Sequence, residues 1–184
     1  MIRSILVRTM CVTALGASVL LPTVAHAASQ PVSVAHRPVA HPAWAKYNPR
    51  THIVHLVAIA AYGADTYNID GGTGGKLTFT VPLGSKVVMT YKNLSPHVPH
   101  GLEVVAYTGT LPTTFPPPAP AFPGAASPNA IHGTPRGVVQ HFHFYANRAG
   151  TYLLICPVRN HVKFGHWAWF IVSATARSAT AVLR

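Results

Sequence analysis

The chain has 184 residues, enough for one domain of ordinary size with tails. Its 14 Lys and Arg face only three carboxylates, Asp65, Asp70 and Glu103, giving a net charge of +11, and 9% of its residues are charged where a soluble domain has about a quarter. The cations are scattered singly, with no basic run and no recognisable nucleic-acid motif, which excludes a nucleic acid as the expected partner.

Arg3 and Arg8 precede an apolar run from Met10 to about Val24, and Ala25-His26-Ala27 follows. That order of charged, apolar and small residues is the order of an export signal over residues 1–27. The run is shorter than the roughly 20 residues a spanning helix needs, so cleavage is expected, with an uncleaved segment acting as a membrane tether as the alternative. Cleavage after Ala27 leaves 12 Lys and Arg, a charge of +9, and Cys156 as the sole cysteine. A disulfide framework is then excluded, and an unpaired thiol outside the cytoplasm calls for burial or ligation.

Residues 28–50 contain four prolines and no strand or helix period, which reads as a linker or extended arm. The domain itself is expected over 51–173, starting with a β-branched strand from His52 to Ala61. His52 and His55 are three apart and would face opposite sides of it. A Gly-rich turn, Asp70 to Gly75, leads to the period-two strand Lys76–Val81; a turn at Pro82–Gly84 leads to the strand Ser85–Lys92. Residues 109–137 form a long Pro-rich loop, too long for an ordinary hairpin, that either packs over the functional end or makes a surface excursion. Val138–Tyr145 alternates strictly, with Phe142 and Phe144 on one face and His141 and His143 on the other. That face is either solvated or a His-x-His metal pair lacking a third ligand. Trp167–Ser173 closes the domain, and residues 174–184 are a tail without assigned structure. Seven or so short strands with turns between them, and no stretch that argues for a long helix, point to an all-β, antiparallel Greek-key sandwich.

The chemistry concentrates between the last two strands, in Cys156-Pro-Val-Arg-Asn-His161-Val-Lys-Phe-Gly-His166. One strand end supplies Cys156, a short loop His161 and the start of the next strand His166, so the three side chains can converge. Thiolate with imidazole favours copper, zinc or iron over magnesium or calcium.

This loop, preceded by Ala149-Gly-Thr-Tyr152, resembles the copper loop of the sulfocyanin group of cupredoxins. The resemblance runs from about Tyr67 to Ser173, through Leu77-Thr-Phe-Thr-Val-Pro-Leu-Gly84 and the Ala-Phe-Pro-Gly-Ala stretch at 121–125. It implies a cupredoxin fold and one type 1 copper ion cycling between Cu(II) and Cu(I) as a one-electron carrier, not an enzyme. His100, which follows Pro99 and the strand-ending Asn93, matches the upstream ligand position better than His97. Gly101 stands where the family has a small polar residue, and His166 where it has the axial methionine. Met89, the one methionine left after export, lies mid-strand, so His166 is the axial candidate and a shift from blue toward green is implied. The resemblance extends to cupredoxins of acid-living iron oxidisers, implying cytochrome c and a terminal cytochrome c oxidase as partners, a periplasmic and possibly membrane-associated location, and the edge of His161 as the electron port.

Three other readings stand beside it: a copper-delivery protein, a nitrosocyanin-type enzyme using Glu103, and a structural zinc domain. The shortage of carboxylates has its own implication. Acid unfolds proteins largely by protonating carboxylates that are paired in the native state, so a chain with three of them has little to lose in acid surroundings.

Overall fold

The computed structural model describes residues 39–40, 43–63 and 65–184; the export signal and most of the 28–50 arm lie outside the described residues. Among the described residues ten strands form two sheets and no helix is long and apolar enough to cross a membrane. The strands are β1 Val39–Ala40, β2 Ala45–Asn48, β3 Ile53–Ala60, β4 Leu77–Pro82, β5 Lys86–Asn93, β6 Glu103–Ala106, β7 Val139–Tyr145, β8 Gly150–Ile155, β9 Trp167–Ser173 and β10 Thr180–Leu183. One sheet runs β1-β10-β4-β9-β8-β6 and the other β2-β3-β5-β7.

The period-two strands do what the pattern predicts. In β5 the side chains of Val87, Met89, Tyr91 and Asn93 are buried while the intervening ones are not. In β7, Phe142 and Phe144 point inward and His141 and His143 outward, where His141 Nδ1 lies 3.2 Å from Thr90 Oγ1. The two inner faces meet at Phe144 and Phe170, 5.8 Å between ring centroids, and Phe79, Tyr91 and Leu154 extend the same core. Met89 is fully buried in it.

The structure departs from the sequence reading in two places and decides between its alternatives in a third. The arm and the tail both contribute strands: β2 pairs antiparallel with β3, and β10 pairs with β4 and with β1. These are four residues or fewer, too short for a period to register, and the neighbouring strands recruit them. Secondly, the sandwich is not wholly antiparallel, since β3–β5 and β4–β9 are parallel pairs created when the chain crosses between sheets. Finally, the 109–137 insertion is no excursion. It lies along the otherwise open edge of β6, with the Val104 N–H donating to Ala125 O (2.9 Å) and the Ala121 N–H to Val104 O (2.8 Å), while Phe122 stacks on Phe144. A sheet edge that would expose unpaired backbone groups is thereby covered.

Candidate metal centre

Cys156 follows β8, His161 sits in the turn that leads away from it, and His166 immediately precedes β9, so the β8–β9 pairing closes the loop. The loop is laced by its own backbone: Cys156 N–H donates to His166 O (3.1 Å), His166 N–H to His161 O (3.0 Å) and His161 N–H to Val158 O (3.1 Å). Its base is tied to the Gly-rich turn by the Gly74 N–H donating to Gly165 O at 2.7 Å. At Gly165 φ is +90° and a Cβ would press into Thr73, so both the turn and the close approach require glycine.

His100 arrives from a separate connection at the same end of the sandwich, just before β6, whose Glu103 pairs with Ile155 at the end of β8. Asn93 holds the β5–β6 connection, donating from Nδ2 to Val98 O (3.0 Å) and to Thr134 O (2.7 Å) and accepting from Ser95 N–H (2.8 Å). The insertion then clamps the histidine directly, with Thr134 N–H donating to His100 O (2.7 Å). The same contact explains Gly101. A Cβ there would lie 2.7 Å from the Ala130 carbonyl carbon and closer still to its oxygen, so backbone of the insertion fills the space a side chain would need. In place of a side-chain hydrogen bond across the site, the Gly101 N–H donates to Cys156 Sγ at 3.3 Å.

These segments bring the four sequence-selected side chains together. One ligand-capable atom from each of His100, Cys156, His161 and His166 lies within 4.8 Å of the others, and all four residues are buried. His100 Nδ1 and His161 Nδ1 are 3.1 Å apart, and Cys156 Sγ is 3.2 Å from His161 Nδ1 and 3.8 Å from His100 Nδ1. His166 packs edge-on to His100 with centroids 4.4 Å apart. Neither His97, which is exposed, nor Met89 nor Glu103 belongs to the cluster. His141 and His143 remain on the outer face, and among the described residues no other group of three metal-capable side chains forms.

The donor set fits a soft or borderline metal ion. Neither ring nitrogen of the fully buried His166 makes a hydrogen bond of ordinary geometry, the Asn68 backbone being its polar neighbour outside the cluster, and His100 Nε2 is likewise without a partner. Buried polar nitrogens are normally satisfied, so the unpartnered His166 ring, packed beside the His100, His161 and Cys156 donors, marks a site built for coordination, with His100 presenting Nδ1 rather than its unpartnered Nε2 to the cluster. Burial also selects protonation states. It pushes the Cys156 thiol up to about 12, against the opposing pull of the Gly101 and Val158 N–H groups, so a thiolate forms there when a cation replaces the proton. Burial, aided by mutual repulsion with His161, lowers His100 to about 4; burial alone lowers His161 to about 4 and is the main cause that drives His166 well below the usual histidine range. All three imidazoles therefore stay neutral and able to ligate in mildly acidic water.

One contributor had no signal in the sequence. Tyr67, in the loop before the Gly-rich turn, packs edge-on against His161 (5.1 Å) and His100 (6.0 Å) and touches Phe164 (4.9 Å). His161 is 5% exposed and Phe164, beside it, 56%, so the cluster approaches the surface under an aromatic rim.

Comparisons with known proteins bear on the fold and the family. A sulfocyanin (SoxE) domain model matches residues 42–182. The sulfocyanin of Sulfolobus acidocaldarius is 25% identical over 141 residues, covering 73% of this chain and 69% of that protein. Among solved structures, reduced rusticyanin superposes with a TM-score of 0.50 at 19% identity over 66% of this chain and 80% of its own. Rusticyanin from Thiobacillus ferrooxidans does so with 0.50 at 18%, over 74% and 96%. The structural likeness shows a common cupredoxin fold, and the family model, matched from just before β2 to within β10, shows that this chain belongs to the sulfocyanin family.

Proposed function

We propose that the protein is an exported type 1 copper carrier in which His100, Cys156 and His161 are the strong ligands and His166 takes the axial place. It belongs to a family of copper electron-transfer proteins, and its own buried His-Cys-His-His cluster suits one copper ion. Copper held there supplies a one-electron Cu(II)/Cu(I) couple. The chain's task is to keep the four donors fixed in both states, which the loop's own hydrogen bonds, the Asn93 tie and the Thr134 clamp accomplish. The single observation carrying the axial assignment is His166 itself, fully buried against His100 with neither ring nitrogen in a hydrogen bond of ordinary geometry.

Electrons enter and leave at the edge of His161, between Tyr67 and Phe164, where an apolar rim excludes water from a partner's docked face. Two of the rivals lack support here. A delivery protein needs donors that release metal at the surface, whereas all four donors are buried. A nitrosocyanin-type site would need a carboxylate, and Glu103 is outside the cluster.

The working environment we infer is acidic and periplasmic, with a cytochrome c and a terminal cytochrome c oxidase as partners. Burial pushes Asp70 up to about 8 and Glu103 to about 7, so both are best accommodated protonated. Substituting His166 by Met or Ala in the copper form tests the ligand set. The axial reading expects the visible band pattern to move from green toward blue and the paramagnetic resonance parameters to change; unaltered spectra would remove His166 from the site.

A further inference from the structure

Basic residues that lie scattered along the sequence are gathered by the fold onto one surface. Among the described residues the strands carry six of them, Lys46, His55, Lys86, Lys92, His141 and His143, and every one belongs to the β2-β3-β5-β7 sheet. All six stand on its outer face, because the residues that alternate with them, such as Ala45, Val54, Val87 and Phe142, are buried in the core. Lys46 pairs with His55, which pairs in turn with Val88 and through it with His143, while Lys86 and Lys92 take the two ends of β5. Val57, Ile59 and Val88 stand half-buried between them. No Asp or Glu lies on any of the four strands. The six-stranded sheet is the reverse: its strands carry no Lys, Arg or His, and Trp167, Trp169 and Ile171 stand half-buried on its outer face.

We propose that the outer face of β2-β3-β5-β7 is a docking surface for an anionic lipid bilayer. Lysines on one side of a molecule, with no carboxylate on their own sheet to offset them, are drawn to a negatively charged plane. A protein interface is instead built on aromatic and Arg anchors and is poor in Lys, and these four strands hold no Arg and no Trp. In the acidic setting inferred above, phosphodiester headgroups keep their charge where the carboxylates of an acidic protein begin to lose theirs. The choice of lipid over protein rests on that setting; the asymmetry of the two sheets does not. β5 ends at Asn93, which ties the connection leading to His100, so the copper cluster lies beyond the strand ends and not on this face. A molecule lying face down leaves the His161 edge open along the membrane plane, toward a partner held in the same bilayer.

The test sediments the copper-loaded protein, in low salt at pH 5, with vesicles of phosphatidylcholine alone or of phosphatidylcholine with about one-third phosphatidylglycerol. Comparing the two compositions removes the contribution of any retained apolar N-terminal segment, which would bind both. The anionic vesicles should be preferred. Lys46→Gln, Lys86→Gln and Lys92→Gln should each lower that preference about fivefold, and the triple variant about a hundredfold. Lys76, Arg177 and Arg184 are exposed and flank strands of the six-stranded sheet, so replacing all three by Gln removes the same charge from elsewhere and should lower the preference by less than about fivefold. No preference for the anionic vesicles, or an equal loss in the two triple variants, would overturn the proposal. So would binding to soluble polyglutamate at pH 7 without binding to the anionic vesicles, which would assign the face to an acidic protein.

Discussion

Replacing Asp70 by Asn should flatten much of the protein's pH-dependent stability, and the size of the effect follows from where Asp70 sits. Its Oδ1 accepts the Ile59 N–H at 2.9 Å, its Oδ2 has no partner, and burial raises the carboxyl from 3.8 to about 8. Between those values the native state keeps a proton that the unfolded chain has released. The resulting stability is fully present below about pH 4 and is lost as pH rises through about 8. At about 1.4 kcal/mol per pH unit the span amounts to something on the order of 5 kcal/mol. Asn copies the protonated carboxyl: its oxygen still accepts from Ile59, and it tolerates the φ of +50° that Asp70 adopts. Urea unfolding of both copper-loaded proteins from pH 4 to 8 measures the difference directly, since all other titrations cancel. The two should agree within about 1 kcal/mol near pH 4 and diverge by several in favour of Asn by pH 8. Parallel curves would refute the reasoning.

Other outcomes follow from the same structure. Gly101→Ala drives a methyl group into the Ala130 backbone and should destabilise the copper form by about 3 kcal/mol by thermal or urea unfolding, the upper end for overpacking because a carbonyl cannot rotate away. Apoprotein stability should fall as pH drops from 6.5 through about 4, because His100 and His161 are held neutral when folded and protonate freely when unfolded; copper loading should raise stability throughout that range without removing the slope, since the ligands are unprotonated in the copper form too. The copper form should also show no unfolding transition at pH 4 to 5, where ordinary carboxylates titrate, since no described carboxylate is in an ion pair.

What could be read from the residues was what local pattern encodes. Alternation in Lys86–Asn93, Val139–Tyr145 and Trp167–Ser173 placed strands and their faces, and the spacing of Cys156, His161 and His166 placed three donors on one loop. His100 was legible through the family resemblance, which expects the upstream histidine after a proline and a strand-ending Asn. Illegible were the contacts made at long range. β2 and β10 are strands because β3 and β4 offer them open backbone. Tyr67 is separated from His161 by most of the domain, and the seating of Thr134 and Ala130 on His100 and Gly101 depends on how a 29-residue insertion returns to the sheet. Gly101 was the one visible trace of that contact, a missing side chain whose reason lay some thirty residues away.

The central claim is that the Cys156 sulfur binds copper as a thiolate. Adding Cu(II) to the apoprotein and recording visible absorption and paramagnetic resonance, beside the same titration of Cys156→Ser, tests it in a single experiment. The account predicts an intense sulfur-to-copper charge-transfer colour at one equivalent that the serine variant lacks. The same colour in Cys156→Ser, or none in the native sequence, would contradict it.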